Sequence, residues 1–439
     1  MSLMSATAAA HFSSRKRKLL LRARAVLPLS RPPISNGAIL ISGNRIAEIG
    51  RWPDLARADR DETVDLGEVL LMPGLVNAHC HLDYTDMAGQ FPPPKIFSDW
   101  LKLITTAKGH WSQSDYATSW LNGAQMLVRT GTTTVGDIEA MPDLLPEVWK
   151  VSGLRVVSFL EMIGITGRRK PEAILHEALD RIDSLKVGPC CAGLSPHAPY
   201  STVPELLRLS AEAARQRDLR MCVHVAESAQ EFEMFVHGRG EMFEWLRRST
   251  RDMSDCGLGS PVRHLARQGV LGENLLAVHV NYLAKGDAAL LAENKVHVVH
   301  CPRSHHYFRH RSFPLRRLLR AGVNVCLGSD SLASVYRTRR ETLELNMFDE
   351  MRTLAKRESW LPPKRILRIA TVNGARALGM SGQIGELSAG SFADVIAIPN
   401  PGRLSRVHEA VLEHKGDVSM SVIGGQWVRG APVHSPVDV

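Results

Sequence analysis

Two histidines separated by one residue close an apolar run, Pro73-Gly-Leu-Val-Asn-Ala-His-Cys-His81. On a strand, alternate side chains share a face about 7 Å apart along the chain, so His79 and His81 point at one place off its end. The pair alone is weak, because two satisfied polar residues at a strand edge explain it equally well. Three other segments give it weight. Met221-Cys-Val-His-Val-Ala-Glu227 ends in the imidazole of His224 with a carboxylate, Glu227, in the loop beyond; Leu275 to Val280 carries His279; Asn324 to Gly328 runs into Ser329-Asp330-Ser331. A core histidine is the ordinary reading of any one of these. Several such strand ends on one face of a barrel point to a metal centre.

Imidazole and carboxylate donors without thiolate suit one divalent ion, zinc first, with iron as the alternative. Such an ion lowers the pKa of water from near 16 to about 7, which is the chemistry a hydrolase needs. Asp330 is then expected to ligate and to accept a proton, His279 to hydrogen-bond the water or a developing oxyanion, and Glu227 to carry a proton to the leaving side. Two rival zinc patterns fail. Pro189-Cys190-Cys191 lacks the second half of a P-C-x-x-C motif, and His408-Glu409 meets Leu412 where a metalloprotease needs histidine.

The elements that must hold these residues alternate. Short apolar runs at 75–81, 133–137, 155–161, 190–197, 220–225, 275–280, 297–301 and 324–328 are each followed by a stretch of helical period. After His197, Thr202-Val-Pro-Glu205 reads as a capping box opening a helix that ends near Arg217. Strand–helix units in this number predict a (β/α)8 barrel over residues 71–380, with its site at the C-terminal strand ends. A doubly wound open sheet is the competing architecture, although no G-x-G-x-x-G follows the first strand. The flanks, 18–70 and 381–439, have short runs broken at Gly43-Asn44 and Gly424-Gly425 and predict one small β-sandwich built from both termini. Residues 1–17 read as a disordered tail, with an organelle transit peptide as the alternative.

Composition sets the outer bounds. Apolar residues at 44% and charged residues at 23% of 439 are ordinary for a globular chain. The net charge of +9 is scattered, apart from Arg15-Lys16-Arg17-Lys18 and Arg337 to Arg340, and does not argue for nucleic acid. No run is long and apolar enough for a membrane helix. Seven cysteines without C-x-x-C spacing suggest free thiols and a cytoplasmic setting. The expected partner is a small-molecule substrate, with a homodimer left open.

With its motifs in order, the chain resembles the amidohydrolase superfamily. The carriers are the Pro73–His81 run, Gly131-Thr-Thr-Thr-Val135, Ser195-Pro-His-Ala-Pro-Tyr-Ser201, His224-Val-Ala-Glu227, His279, Gly328-Ser-Asp330, Ala370-Thr-Val-Asn-Gly-Ala-Arg376 and Ile384 to Val395. More narrowly it is similar to the branch of nucleoside and aromatic-ring deaminases and chlorohydrolases, over about residues 18 to 430. The resemblance implies one metal held by His79, His81, His224 and Asp330, with Glu227 as proton donor to a ring nitrogen. Binuclear members carry a lysine at the end of strand four. Here Ser195-Pro196-His197 stands there, which implies a mononuclear site and a substrate contact for His197, whose plainer reading is a turn residue bonded to backbone.

Hydrolytic deamination of an adenosine-like or other aminated heteroaromatic ring is the leading expectation. A chlorohydrolase or another C–N hydrolase would share the site, whereas an inactive barrel homologue should have lost ligands that are all present. Methylthioadenosine and adenosylhomocysteine deaminases bind ribose with a glutamate downstream of a Trp-Leu pair; after Trp100-Leu101 this chain has Gly109 at that position. His300-Cys-Pro-Arg-Ser-His-His-Tyr-Phe308 puts Arg303 near the barrel mouth, where a guanidinium suits a substrate carboxylate, although a structural arginine is the plainer reading. That run together with Gly328 to Ser334 looks like aminodeoxyfutalosine deaminases of the menaquinone route, whose substrate bears a carboxyphenyl group.

Overall fold

The structure is a computed structural model that describes residues 17–166, 168–185, 188–336, 342–399 and 402–430. The tail up to residue 16 and the Arg337 to Arg340 cluster lie outside the described residues. The chain opens with β1 (Lys18–Val26), β2 (Ile34–Ser42) and β3 (Arg45–Arg51), an antiparallel meander in which Gly43 takes a positive φ at the Gly43-Asn44 turn. Next, β4 (Glu62–Asp65) and β5 (Val69–Pro73) add to β1 in parallel.

Eight strands then follow one another around a parallel sheet: β6 (Leu75–Cys80), β7 (Thr132–Glu139), β8 (Arg155–Met162), β9 (Cys191–Pro196), β10 (Met221–Val225), β11 (Leu275–His279), β12 (His297–His300) and β13 (Asn324–Leu327). A helix occupies every gap between them, such as Gln113–Arg129 before β7 and Leu315–Ala321 before β13. The apolar centres of β11 and β12 are covered on both faces: Leu275, Ala277 and Val298 pack outward on helices, while Leu276, Val278 and Val299 fill the barrel. Finally β14 (Val395–Pro399), β15 (Met420–Ile423) and β16 (Gln426–Arg429) return to the first sheet, where β14 pairs antiparallel with β5. This mixed outer sheet has two apolar faces. Val395, Ala397 and Leu71 face its own core, and Ile396, Ile398, Leu70 and Met72 lie against the barrel's helices with Phe348 and Val411.

The helix after β9 starts differently from the expectation. It spans Pro204–Gln216 with Val203 at its N-cap and no side-chain cap, because Thr202 is drawn into a bridge with Gly164 and Glu205 pairs with Arg208. Among the described residues no helix is long and apolar enough to cross a membrane.

One buried ion pair ties the two layers. Arg155, at the start of β8, gives two hydrogen bonds of 3.1 and 3.2 Å to Asp394, whose carboxylate also accepts the Gly424 N–H. Both side chains are almost fully enclosed. Removing one partner strands a buried charge, so Arg155→Met should lower the unfolding free energy by about 3–5 kcal/mol in urea titration. An unchanged midpoint would show that the pair does not join the layers.

Candidate active site

The candidate residues lie at the C-terminal ends of the barrel strands. His79 and His81 close β6, His224 lies in β10, His279 ends β11, and Asp330 and Glu227 stand just past β13 and β10. All are buried. His81 Nε2 is 3.3 Å from His224 Nε2, and Asp330 Oδ1 is 3.7 Å from Nε2 of both His79 and His81. The rings of His79, His81 and His224 are spaced 4.9 to 5.4 Å between centres. Donor atoms of three overlapping sets, His79–His224–His279, His79–His81–Asp330 and Glu227–His279–Asp330, each lie within 4.8 Å of one another.

This arrangement fits a divalent ion. His79 Nε2 is buried with no hydrogen-bond partner, and lone pairs facing each other across such distances repel unless a cation lies between them. Nitrogen and carboxylate donors in this number suit zinc, and none of the sets contains a thiolate. His79, His81, His224 and Asp330 are the residues that would hold it.

Local backbone sets the aim of each group. The register of β6 against β7 slips between Asn77 and Cys80, and beyond it His79 faces inward, with Nδ1 3.9 Å from Cys222 Sγ. Simple alternation along β11 would send His279 outward with Leu275 and Ala277. Positive φ at His279 (74°) and Val280 (49°) instead turns the chain and brings the ring to the mouth. Ala226 and Asp330 are also left-handed. Glu231 holds the loop after β10 by accepting the N–H groups of Ala226 and Glu227 at 2.9 and 2.8 Å, while Asn281 donates to the Glu227 carbonyl.

Electrostatics separates the two carboxyls. Burial, reinforced by the charges of Asp330 and Glu231, pushes Glu227 well above the usual carboxylate range. Burial also opposes ionisation of Asp330, yet the imidazoles of His79, His279 and His81 around it hold its carboxyl well below that range. Desolvation keeps His81 and His224 neutral and lowers His279 to about 3. The site thus pairs one carboxyl shifted toward ionisation with one shifted toward its protonated form. His279 Nε2 stands 3.5 Å from Glu227 Oε1.

Above the donors lies a cavity of about 120 Å³, walled by Tyr84, Phe97, Trp100 and Tyr200. His197 also lines it, with Nδ1 2.6 Å from Ser201 Oγ and Nε2 toward Glu161 at 3.9 Å. Sequence reasoning missed Glu161 and Lys108 in this wall. Lys108 Nζ sits 4.0 Å from Glu161 Oε2 and 4.6 Å from the Tyr84 ring centre. Glu161 was visible as the acid ending a barrel strand, whereas Lys108, on the helix Phe97–Lys108, gave no local signal. Arg303 does not line the cavity. Its backbone N–H bonds Glu350 Oε2 and its guanidinium bonds the Glu344 carbonyl, both at 2.9 Å.

The model of the amidohydrolase family matches residues 70–428, most of the chain. The chain is an amidohydrolase. Its curated relatives include the 5-methylthioadenosine/S-adenosylhomocysteine deaminase of Syntrophobacter fumaroxidans, 32% identical over 82% of this chain and 80% of that one. The 5'-deoxyadenosine deaminase of Methanothermobacter thermautotrophicus is 31% identical over 83% and 81%. Among solved structures, an adenosine deaminase from Xanthomonas campestris with bound zinc has a TM-score of 0.81 at 26% identity, covering 94% of this chain and 93% of that one. The Helicobacter pylori aminofutalosine deaminase, in complex with methylthio-coformycin, has a TM-score of 0.83 over 93% and 99% of the chains; at 21% identity that likeness is one of fold. This chain's curated relatives of 30% identity or more are thus named as deaminases, and its barrel mouth holds the donors of a mononuclear divalent-metal site.

If these side chains hold the ion, His81→Ala and Asp330→Asn should each reduce zinc affinity by more than about tenfold, since outer partners of ligands already cost that much. Competition with a chromophoric chelator measures it. Zinc affinity equal to that of the parent in both variants would remove these residues from the ligand set.

Proposed function

We propose that this amidohydrolase is a hydrolytic deaminase that releases ammonia from an adenosine-like ring. The observation that carries the reading is Glu227: a buried carboxyl that lines the cavity 3.5 Å from His279, among the metal donors, with burial raising its pKa. Deamination of a purine needs such a group, because the ring nitrogen next to the attacked carbon must gain a proton as its π-system is broken. Neutral His279 is suited to donate a hydrogen bond to the attacking oxygen, and ionised Asp330 to take the proton that water gives up. The ion, when bound, supplies hydroxide at neutral pH. Trp100 and Tyr84 offer flat apolar walls to a ring, and His197 a polar edge. The deaminases among the curated relatives support the same reaction class.

Within that class aminodeoxyfutalosine is the specific substrate we put forward, on the resemblance of the segments Cys301 to His305 and Gly328 to Ser334. The cation available in the cavity wall to a carboxylate is Lys108. All seven cysteines are free thiols, which supports a reducing, cytoplasmic setting.

Ammonia release should be compared for aminodeoxyfutalosine, methylthioadenosine, adenosylhomocysteine, 5'-deoxyadenosine and adenosine, with chloride release from a chlorotriazine alongside. Turnover of at least one adenosine-like compound is expected, and Glu227→Gln should lose at least about a hundredfold in kcat while retaining zinc. Chloride release without ammonia release, or full activity in the variant, contradicts the proposal. Preference for aminodeoxyfutalosine over the neutral nucleosides, weakened in Lys108→Met, is the result expected for the specific substrate.

A further inference from the structure

Four of the 18 histidines fall between 300 and 310, and none of them takes part in the chemistry above. His300 ends β12; His305 lies on the short helix Pro302–Tyr307, and His310 on the loop that follows it. The rings of His300 and His305 are 5.3 Å apart between centres, and those of His305 and His310 are 5.4 Å apart. These spacings match the 4.9 to 5.4 Å found among His79, His81 and His224.

Each of the three rings also presents one buried nitrogen without a hydrogen-bond partner: Nδ1 of His300, Nε2 of His305 and Nε2 of His310. The remaining parts of the rings are held. Tyr282 Oη lies 3.3 Å from His310 Nδ1, the backbone at Arg311 reaches His305, and the ring of His300 stacks on Phe313 at 3.7 Å. Each ring is thus anchored on one side and keeps a nitrogen free on the other, and the three free nitrogens converge only after the rings rotate. Burial disfavours the imidazolium form of all three rings, lowering His305 to about 4 and His310 to about 3, so each keeps one lone pair. All three rings line one cleft of about 410 Å³, and Glu358 adds a carboxylate to its wall.

We propose that His300, His305 and His310 form a second metal site, for a divalent transition ion such as Zn²⁺ or Co²⁺. Imidazole donors select this class over Mg²⁺ and Ca²⁺, which take oxygen ligands. The site is weaker than the one at the barrel mouth. Arg309 and Arg357 line the same cleft and oppose a cation, although Arg357 is bonded to His306 Nδ1 and Arg309 to Tyr336 Oη. Among the described residues, donor sets that all converge within 4.8 Å are found at the barrel mouth. Capture at the cleft therefore needs the imidazoles to turn inward, and the residues from Phe308 to Pro314 that carry His310 lie outside any helix or strand. An ion there would pin this loop to the end of β12, the strand that pairs with β11 and so neighbours His279.

Equilibrium dialysis of the zinc-loaded enzyme against rising Zn²⁺, read by elemental analysis, tests the proposal. The parent protein should take up a second equivalent, and His305→Ala/His310→Ala should weaken that uptake more than tenfold while keeping the first. His310→Gln, which retains a hydrogen bond toward Tyr282, should weaken it as well, and unchanged thermal unfolding would confirm that both variants fold. Co²⁺ in the second site should add the visible absorption of a low-coordinate nitrogen site, absent in the double variant. Saturation of the parent at one equivalent overturns the proposal, as does a second equivalent bound equally well by both variants.

Discussion

The site depends on the seam where the last barrel strand meets the first. β6 and β13 touch over a few residues: Ser329 and Asp330 give their N–H groups to the His79 carbonyl at 3.0 and 3.2 Å, and His81 N–H returns to the Asp330 carbonyl at 3.3 Å. Asn77 locks the seam from its side chain, donating to Ser329 Oγ at 2.7 Å and accepting Ser329 N–H at 3.0 Å. A side chain at Gly328 would come within 2.7 Å of the His79 carbonyl, so the close approach requires glycine. The same few hydrogen bonds close the barrel and set Asp330 beside both histidines. Asp330 itself adopts φ 56°, a strained conformation held in place by the seam and by the Ser334 hydroxyl on Oδ2.

That constraint explains the charge pattern around it. Bringing four imidazoles and two carboxyls into a water-poor space costs folding free energy unless charge is balanced. Burial disfavours the charged form of the His81, His224 and His279 imidazoles and of the Glu227 carboxyl, whereas the surrounding imidazoles favour ionised Asp330. A divalent cation is the natural complement to that set. Beneath the β10 loop, the buried Glu231 accepts the N–H groups of Ala226 and Glu227 and is raised to about 7 by desolvation against those hydrogen bonds.

The strands were legible because barrel strands covered on both faces are short, largely apolar runs set between helical stretches, most clearly in β10, β11 and β13; β7, with three threonines and two acids, departs from that pattern. The donors on β6, β10 and after β13 were legible because they terminate such runs. Other features depend on what sequence does not encode locally. His279 reaches the mouth through a positive φ that reverses the alternation along β11. Arg303 was expected at the mouth from its place after β12, and its backbone N–H bonds Glu350 on the helix Met347–Arg357, a partner the local sequence does not announce. Thr202 offered a good cap, but Pro204 and the bridge to Gly164 shifted the helix start by one residue. Lys108 and Glu161 come together from a helix and a strand far apart in the chain, a pairing that only tertiary structure reveals.

We propose that one ion, held by these side chains, makes the cavity a catalyst. The most direct measurement strips the enzyme with a chelator and follows ammonia release as Zn²⁺ is returned in known equivalents. Activity should be absent in the stripped protein and rise in proportion to metal, with a break at one equivalent. Turnover without metal, or a break at two equivalents, would contradict the account.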